Sequence, residues 1–287
     1  MSRPDRKESQ ASASGPFAAD RGSIRIGCAG WSVRTAQSPL FGEGSSHLAR
    51  YATRFAAVEI NSSFYRPHLQ KTYARWATTV PPDFRFSVKL PRAITHDARL
   101  IGADEAIADF CNEVAGLGVK LGAVLVQLPP SLVFDVGVAE RFFGTLRRWT
   151  AAPVACEPRH PSWFGPDADR LWPLYLITRV AADPARCPAA SHVAGDGPLR
   201  YWRWHGSPRI YYSGYEDEAL KGLASQLRSH AAAGRTAWCI FDNTALGHAA
   251  TDALRLQELC GRAAERSPLR QCSDAPDEGR IFASRNR

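Results

Sequence analysis

Eight short apolar runs in this chain each end in a cluster of polar residues, and the clusters fall on the same side of every run. The clearest are Val58-Glu59-Ile60-Asn61, Val88-Lys89, Gln127, Glu157-Pro158-Arg159-His160, Asp183, Trp202-Arg203-Trp204-His205 and Phe241-Asp242-Asn243. Most runs lead into a segment with helical patterning. That alternation is how parallel strands joined by helical crossovers read in sequence. Eight such strands can close into a barrel whose active sites sit where the strands end. The expected fold is therefore α/β, a single-domain TIM (β/α)8 barrel, with its pocket at the C-terminal mouth.

The 287 residues suit one such domain of about 250 residues plus tails. Residues 1–22 are rich in Ser, Ala and charge, as is 263–287; both read as disordered tails around a barrel domain at 23–262. A hydrophobic content of 45% is enough for a large core. The net charge of +8 and a pI near 9.3 favour an anionic partner: phosphate, carboxylate or nucleic acid. The seven cysteines are scattered and none forms a C-x-x-C pair, which argues against a zinc knuckle or disulfide framework and for a cytoplasmic protein. The first residues lack the apolar core of a signal peptide. No run reaches the roughly 18 apolar residues of a membrane span, so no membrane partner is expected.

The expected strands are 24–31, 57–64, 84–90, 121–128, 153–157, 177–183, 200–205 and 236–242. Helices are expected at 46–55, 70–79, 104–117, 138–149, 167–174, 217–233 and 249–261, with 184–199 a loop in place of a sixth helix. Pro81-Pro82 and Pro129-Pro130 end elements, and Gly118 stops a helix.

Strand side chains alternate between faces, so the apolar neighbours mark which residues point inward. Val58 and Ile60 facing helices put Glu59 and Asn61 inside. The same argument puts Ser87 and Lys89, Leu125 and Gln127, and Ala155 and Glu157 inside. On the last three strands, outward Val180 and Ala182 leave Asp183 inside; outward Trp202 and Trp204 leave Arg203 and His205; outward Trp238 and Ile240 leave Phe241 and Asn243. On the first, Gly27 and Ala29 are small interior residues, with Trp31 at the rim. Unpaired charges inside a barrel cost several kcal/mol each in order of magnitude, and a layer built for stability alone would be Val, Ile and Leu. A mixed polar layer points to chemistry. The structural alternative is a self-satisfied ring of ion pairs, Glu59–Lys89 and Glu157–Arg203.

Several segments carry a resemblance: "IGCAGWS", "YATRFAAVEINSSFYRP", "FRFSVKLPRAITH", "LGAVLVQLPPS", "CEPRHPSWF", "YWRWHG" and "FDNTALGHAATDAL". Over 24–259 the chain resembles the YecE-like family, also called domain of unknown function 72. The resemblance implies a TIM barrel and, the family having no established activity, no residue roles. The segment after the first Gly-Trp departs from the family's aromatic-rich pattern, being Ser32 to Gly44 with one Phe41.

Read from the residues, Glu59 and Glu157 form a general acid/base pair across the pocket, with His205 a third candidate for proton transfer. Lys89, Arg159 and Arg203 suit an anion clamp. Asn61, Gln127, Asn243, Asp183, His160 and Trp163 complete the substrate contacts, orienting hydroxyls or stacking on a ring. His68, His96 and His248 are weaker candidates; Phe64, Tyr65 and Tyr211 are rim aromatics. A metal held by Glu59, Glu157, Asp183 and His205 is opposed by three cations in the same layer, so no metal is expected. Gly27-Cys28-Ala29-Gly30 lacks a following Lys-Ser/Thr, and no cofactor is expected. The expectation is an enzyme acting by general acid/base chemistry on a small anionic, phosphorylated or carboxylated, sugar- or nucleotide-like substrate. The alternatives are a nucleic-acid-binding, repair-like protein and a non-catalytic metabolite-binding protein.

Overall fold

A computed structural model describes residues 22–197 and 199–261. The two expected tails, Gly22 apart, lie outside the described residues. In chain order the elements are β1 (Ile24–Cys28), α1 (His47–Tyr51), β2 (Ala57–Ile60), α2 (Gln70–Thr79), β3 (Arg85–Lys89), α3 (Asp104–Val114), β4 (Leu121–Gln127), α4 (Val136–Trp149), β5 (Val154–Glu157), α5 (Pro166–Leu174), β6 (Ile177–Arg179), β7 (Ala181–Asp183), β8 (Leu199–Trp204), α6 (Asp217–Ala232), β9 (Thr236–Phe241) and α7 (His248–Gly261). Local chemistry sets several boundaries. The Ser46 side chain accepts from Ala49 N and starts α1, and Asp135 accepts from Val138 N and starts α4, two residues earlier than expected. The third helix gives way at Ala115 to a 3₁₀ turn, where Gly118 adopts φ 53°. The stretch 184–199 holds only the 3₁₀ turn Pro188–Ser191, as its sequence suggests.

The strands form two parallel sheets, in the orders β1-β9-β8-β7 and β2-β3-β4-β5-β6. They meet at two seams. At one, Ala29 bridges Glu59 and Gly30 N donates to Glu59 O at 2.9 Å. Gly27 is needed there, because a Cβ would lie 2.1 Å from Ala57 O. At the other, β6 and β7 are one stretch broken only at Val180; its first half pairs with β5 and its second with β8. The single expected sixth strand is thus split between the sheets. Among the described residues no helix is long and apolar enough to cross a membrane.

The apolar residues separate into two cores. The larger lies under the helices and includes Val58, Ile60, Val88, Val126, Cys156, Trp202 and Phe241. The smaller is enclosed by the strands: Ala57, Ala123, Leu125, Ala155, Val180, Leu199, Tyr201, Trp238 and Ile240. Two expected parities are therefore wrong. On β9, Trp238 and Ile240 point inward while Cys239 and Phe241 meet the helices. On β6–β7, Val180 points inward, Ala181 packs under the helices, and Ala182 takes the inward position at the strand end. The reason is that Thr236–Phe241 is apolar almost throughout, so hydrophobicity does not mark its faces. Volume decides instead. Trp238 stacks on Tyr201 (centroids 6.0 Å apart, 10° between planes) in a core that also holds Ala57, Ala123 and Ala155, beside Gly122 of β4.

Candidate active site

At the C-terminal ends of the strands the interior turns from apolar to ionic. Arg203 of β8 is wholly buried and donates four hydrogen bonds to its neighbours. Its Nε and Nη2 grip Glu59 of β2 at 2.9 and 2.7 Å, a bidentate pair. Nη1 reaches Glu157 Oε2 of β5 at 3.1 Å and Gln127 Oε1 of β4 at 3.3 Å. Nη2 also lies 3.1 Å from Asp242 Oδ2, just past β9. Below it, Tyr201 Oη sits 3.1 Å from Glu59 Oε2 and 2.9 Å from Ser87 Oγ. Burial disfavours the charged guanidinium, but Asp242, Glu59 and Glu157 hold its pKa well above the ordinary arginine value.

His205 stands at the next inward position of the same chain segment. Its Nδ1 is 3.0 Å from Asp242 Oδ2 and its Nε2 is 3.1 Å from Glu157 Oε1. Burial disfavours the imidazolium, yet Glu157 and the two carboxylate hydrogen bonds raise its pKa above the usual value. Glu157 receives a further bond from Arg159 Nε at 2.9 Å. Burial would raise its pKa; Arg159, His205 and Arg203 together hold it well below the carboxylate range. Asp242 is likewise kept ionised against burial by Arg203 and His205. A cavity of about 290 Å³ opens on Glu157, Arg159, Ala182, Arg186, His205 and Tyr211. Tyr211 stands edge-on to His205 at 6.0 Å and adopts φ 70°, a left-handed conformation that is costly for a bulky residue.

Lys89, the last residue of β3, is 5% exposed. Among the described residues no carboxylate lies within salt-bridge distance of it and no group hydrogen-bonds to it; its Nζ rests 4.0 Å from the Phe64 ring centroid. Burial and then Arg203 lower its pKa, against the pull of Glu59, Asp242 and Glu157, to about 8. The nearby His96 is pushed down to about 4 by burial and by Lys89, Arg92 and Arg159.

Glu59, Gln127, Glu157, Arg159, Arg203 and His205 thus converge as the sequence predicts, with Lys89 in electrostatic reach. The expected Glu59–Lys89 pair does not form, because Arg203 takes both oxygens of Glu59. Asn243 is not in the cluster: it faces the other way, and its Nδ2 donates to Ser213 O and Asp252 Oδ2. Asp242 occupies the place expected of it, the consequence of the inverted parity of β9. Asp183 is also turned outward, accepting from Tyr215 Oη at 2.9 Å, so Glu59, Glu157, Asp183 and His205 do not gather as a ligand set. Among the described residues no group of three or more His, Cys, Asp or Glu is disposed to hold a metal ion. Trp163 is no rim residue: it is 1% exposed, stacks on Trp172 and donates to Leu132 O. His160 caps the 3₁₀ turn Pro161–Phe164 through its Nδ1. Asn61 opens the turn Ser62–Phe64, and its buried Oδ1 has no partner among the described residues. Asp242 and Tyr201 are the residues that sequence reasoning missed. The pairing register would have found Asp242, since Arg203 lies opposite Ile240 and both must then face inward.

A family model described as "Protein of unknown function DUF72" matches residues 25–277, and the chain belongs to this family. UPF0759 protein YecE of Escherichia coli (strain K12) is 33% identical over 86 residues, which is 30% of this chain and 32% of that protein. UPF0759 protein YunF of Bacillus subtilis (strain 168) is 29% identical over 154 residues, 50% of this chain and 53% of that protein. The matched segments therefore span about a third and about half of these two relatives. Among solved structures, a DUF72 family protein from Thermotoga maritima MSB8 superposes with a TM-score of 0.69 at 23% identity, over 83% of this chain and 98% of that one. One from Enterococcus faecalis V583 gives 0.69 at 22% identity, over 83% and 95%. At that identity the likeness shows the fold: α/β with parallel sheets.

Proposed function

We propose that this protein is an enzyme acting by general acid/base chemistry on a small phosphorylated or carboxylated substrate, bound at the C-terminal mouth of a (β/α)8 barrel. The barrel reading is supported by the two seams, where the bridge from Ala29 to Glu59 and the shared stretch 177–183 link the sheets. The observation that carries the functional reading is the cavity that opens on an ion-paired histidine and a guanidinium. The roles differ from the sequence expectation. Glu59, wholly buried and bonded to Arg203 and Tyr201, is a positioning residue that holds Arg203. His205 is the proton carrier. Asp242 orients its Nδ1–H, and Nε2 shares its proton with Glu157 Oε1, so that the His205–Glu157 pair at the cavity wall gives and recovers it. Arg159 and Arg186 supply the anion contacts.

Thermal shift with inorganic phosphate and with pyruvate, at physiological ionic strength, tests the reading. Stabilisation that is lost in Arg159→Met supports it, because binding in a partly buried site survives salt screening. If neither anion stabilises the protein, or Arg159→Met responds as the parent does, the assignment fails.

A further inference from the structure

We propose that Lys89 is a nucleophilic amine that forms an imine with an aldehyde or ketone group of the substrate. The inference rests on the anionic-substrate reading only for what carries the carbonyl.

The first observation is the isolation of Lys89. Buried polar groups have partners, and a buried ammonium above all. This one is 5% exposed and has none among the described residues beyond the face of Phe64. Such a position is completed by water or by a ligand. The second is charge. Arg203, Arg159 and the His205 imidazolium answer Glu59, Glu157 and Asp242 through direct contacts. Lys89 is the cation that this count leaves over. The third is that an anion already has permanent cations to meet in Arg159 and Arg186. A lysine kept for charge alone would sit in water or against a carboxylate. Burial beside another cation is instead the arrangement that sets an amine free to react. With a pKa of about 8, roughly a quarter of Lys89 is uncharged at pH 7.5, against about one part in a thousand for an ordinary lysine.

The step balances without oxidant or reductant. The Nζ lone pair forms a C–N bond to the carbonyl carbon, and the C=O π pair moves to oxygen. One Nζ proton passes to that oxygen, giving a carbinolamine. A proton from the imidazolium of His205 converts the hydroxyl to water, which leaves with the C–O bonding pair as the nitrogen lone pair closes the C=N bond. The products are a protonated imine, water and neutral His205. The cationic imine withdraws electrons from the adjacent carbon and so eases loss of its proton, and neutral His205 is the base at hand. Hydrolysis of the imine reverses the steps and restores the amine.

The chain has only five lysines: Lys7, Lys71, Lys89, Lys120 and Lys221. The full-length protein is incubated with glyoxylate or with propionaldehyde, reduced with cyanoborohydride and mapped by peptide mass spectrometry. The groups facing Lys89 are Glu59, Glu157, Arg203, Asp242 and His96. Glu157, Asp242, Arg203 and His96 keep one state from pH 7 to 9, and the same series on His205→Gln separates the rise of the amine from the titration of His205. Label on Lys89 ahead of exposed Lys71 and Lys221, with a half-rise near pH 8 and none at that position in Lys89→Arg, is the expected result. Label confined to the exposed lysines, while phosphate still stabilises the protein, overturns the amine and leaves the anion reading standing. Equal labelling of Lys89 by both aldehydes with no protection by phosphate upholds the amine and removes the anion reading.

Discussion

Replacing Lys89 by methionine should make the protein more stable at neutral pH. The gap between an ordinary lysine at 10.5 and Lys89 at about 8 corresponds to about 3 kcal/mol of unfavourable free energy in the charged form. Methionine keeps an unbranched stem of similar length and forfeits only the contact with Phe64, about 0.5–1 kcal/mol. The net gain at pH 7 is then about 2–3 kcal/mol, or roughly 5–10 °C in melting temperature for a domain of this size. The sign is set by linkage. Between pH 8 and 10.5 the unfolded chain carries the Lys89 proton and the folded chain does not, so parent stability rises with pH across that window. Below pH 8 the destabilisation is present in full; by about 10.5 it has vanished. The assay is urea or thermal unfolding of parent and Lys89→Met at pH 7, 8, 9 and 10.5. The advantage of the variant should shrink steadily above pH 8. A variant that melts below the parent at pH 7, or a difference that is the same at pH 7 and 10.5, would refute the claim that Lys89 holds an uncompensated charge. The same variant should form no reducible adduct at this position, so stability and reactivity move in opposite directions.

Arg203→Met leaves Glu59, Glu157 and Asp242 without their shared cation and should cost at least 3–5 kcal/mol by urea unfolding, in order of magnitude; a cost under 1 kcal/mol would mean the carboxylates are satisfied without it. Asp242→Asn removes one of the two carboxylates that raise the His205 pKa, so the imidazole titration followed by NMR should move to lower pH, and an unmoved midpoint would contradict the assigned pairing. Because the His205 pKa is raised in the folded state, the stability it contributes is complete below its ordinary value of 6.5 and is lost as pH rises through the folded value. The stability difference between parent and His205→Gln should therefore narrow from pH 6 upward, and a difference that widens would reverse the sign argued for the clamp. Gly122→Ala puts a Cβ 2.7 Å from the Trp238 ring and should cost about 1–3 kcal/mol, readable as a lowered melting temperature.

How far the sequence was legible depended on the kind of strand. Where apolar and polar residues alternate, as in Val58-Glu59-Ile60 and Val88-Lys89, the face of each side chain follows from transfer free energy, and Glu59, Lys89, Gln127, Glu157, Arg203 and His205 take the inward positions that the alternation gives them. Where a strand is apolar on both faces, that signal disappears. Thr236–Phe241 could be read in either parity, and choosing the bulky residues as outward placed Asn243 in the pocket and Asp242 outside it. On 177–183 the one charged residue at the strand end misled in the same way, since Asp183 is satisfied by Tyr215 from outside the layer. Trp163 and His160 failed for another reason. Aromatic and imidazole side chains serve packing and capping as well as recognition, and a loop residue's partner, here Leu132 O or Ser162, is set by tertiary contacts that spacing does not encode.

The two inverted strands also indicate how the site was built. The space enclosed by the strands must be filled at every level, and its bulkiest occupants here are Trp238 and Tyr201, beside Gly122. Filling the floor from β8 and β9 carries the alternation upward, so the same two strands deliver Arg203, His205 and Asp242 to the top. The other half of the molecule presents Ala57, Ala155 and Leu125 below and Glu59, Glu157 and Gln127 above. The cations of β8 therefore meet the carboxylates of β2 and β5 across the centre. Lys89 arrives from β3, whose position opposite Leu125 gives it an apolar neighbour rather than an acidic one. Its isolation is thus a consequence of register, and moving a carboxylate into that position, as in Leu125→Glu, is the change that would turn a free amine into an ordinary buried ion pair.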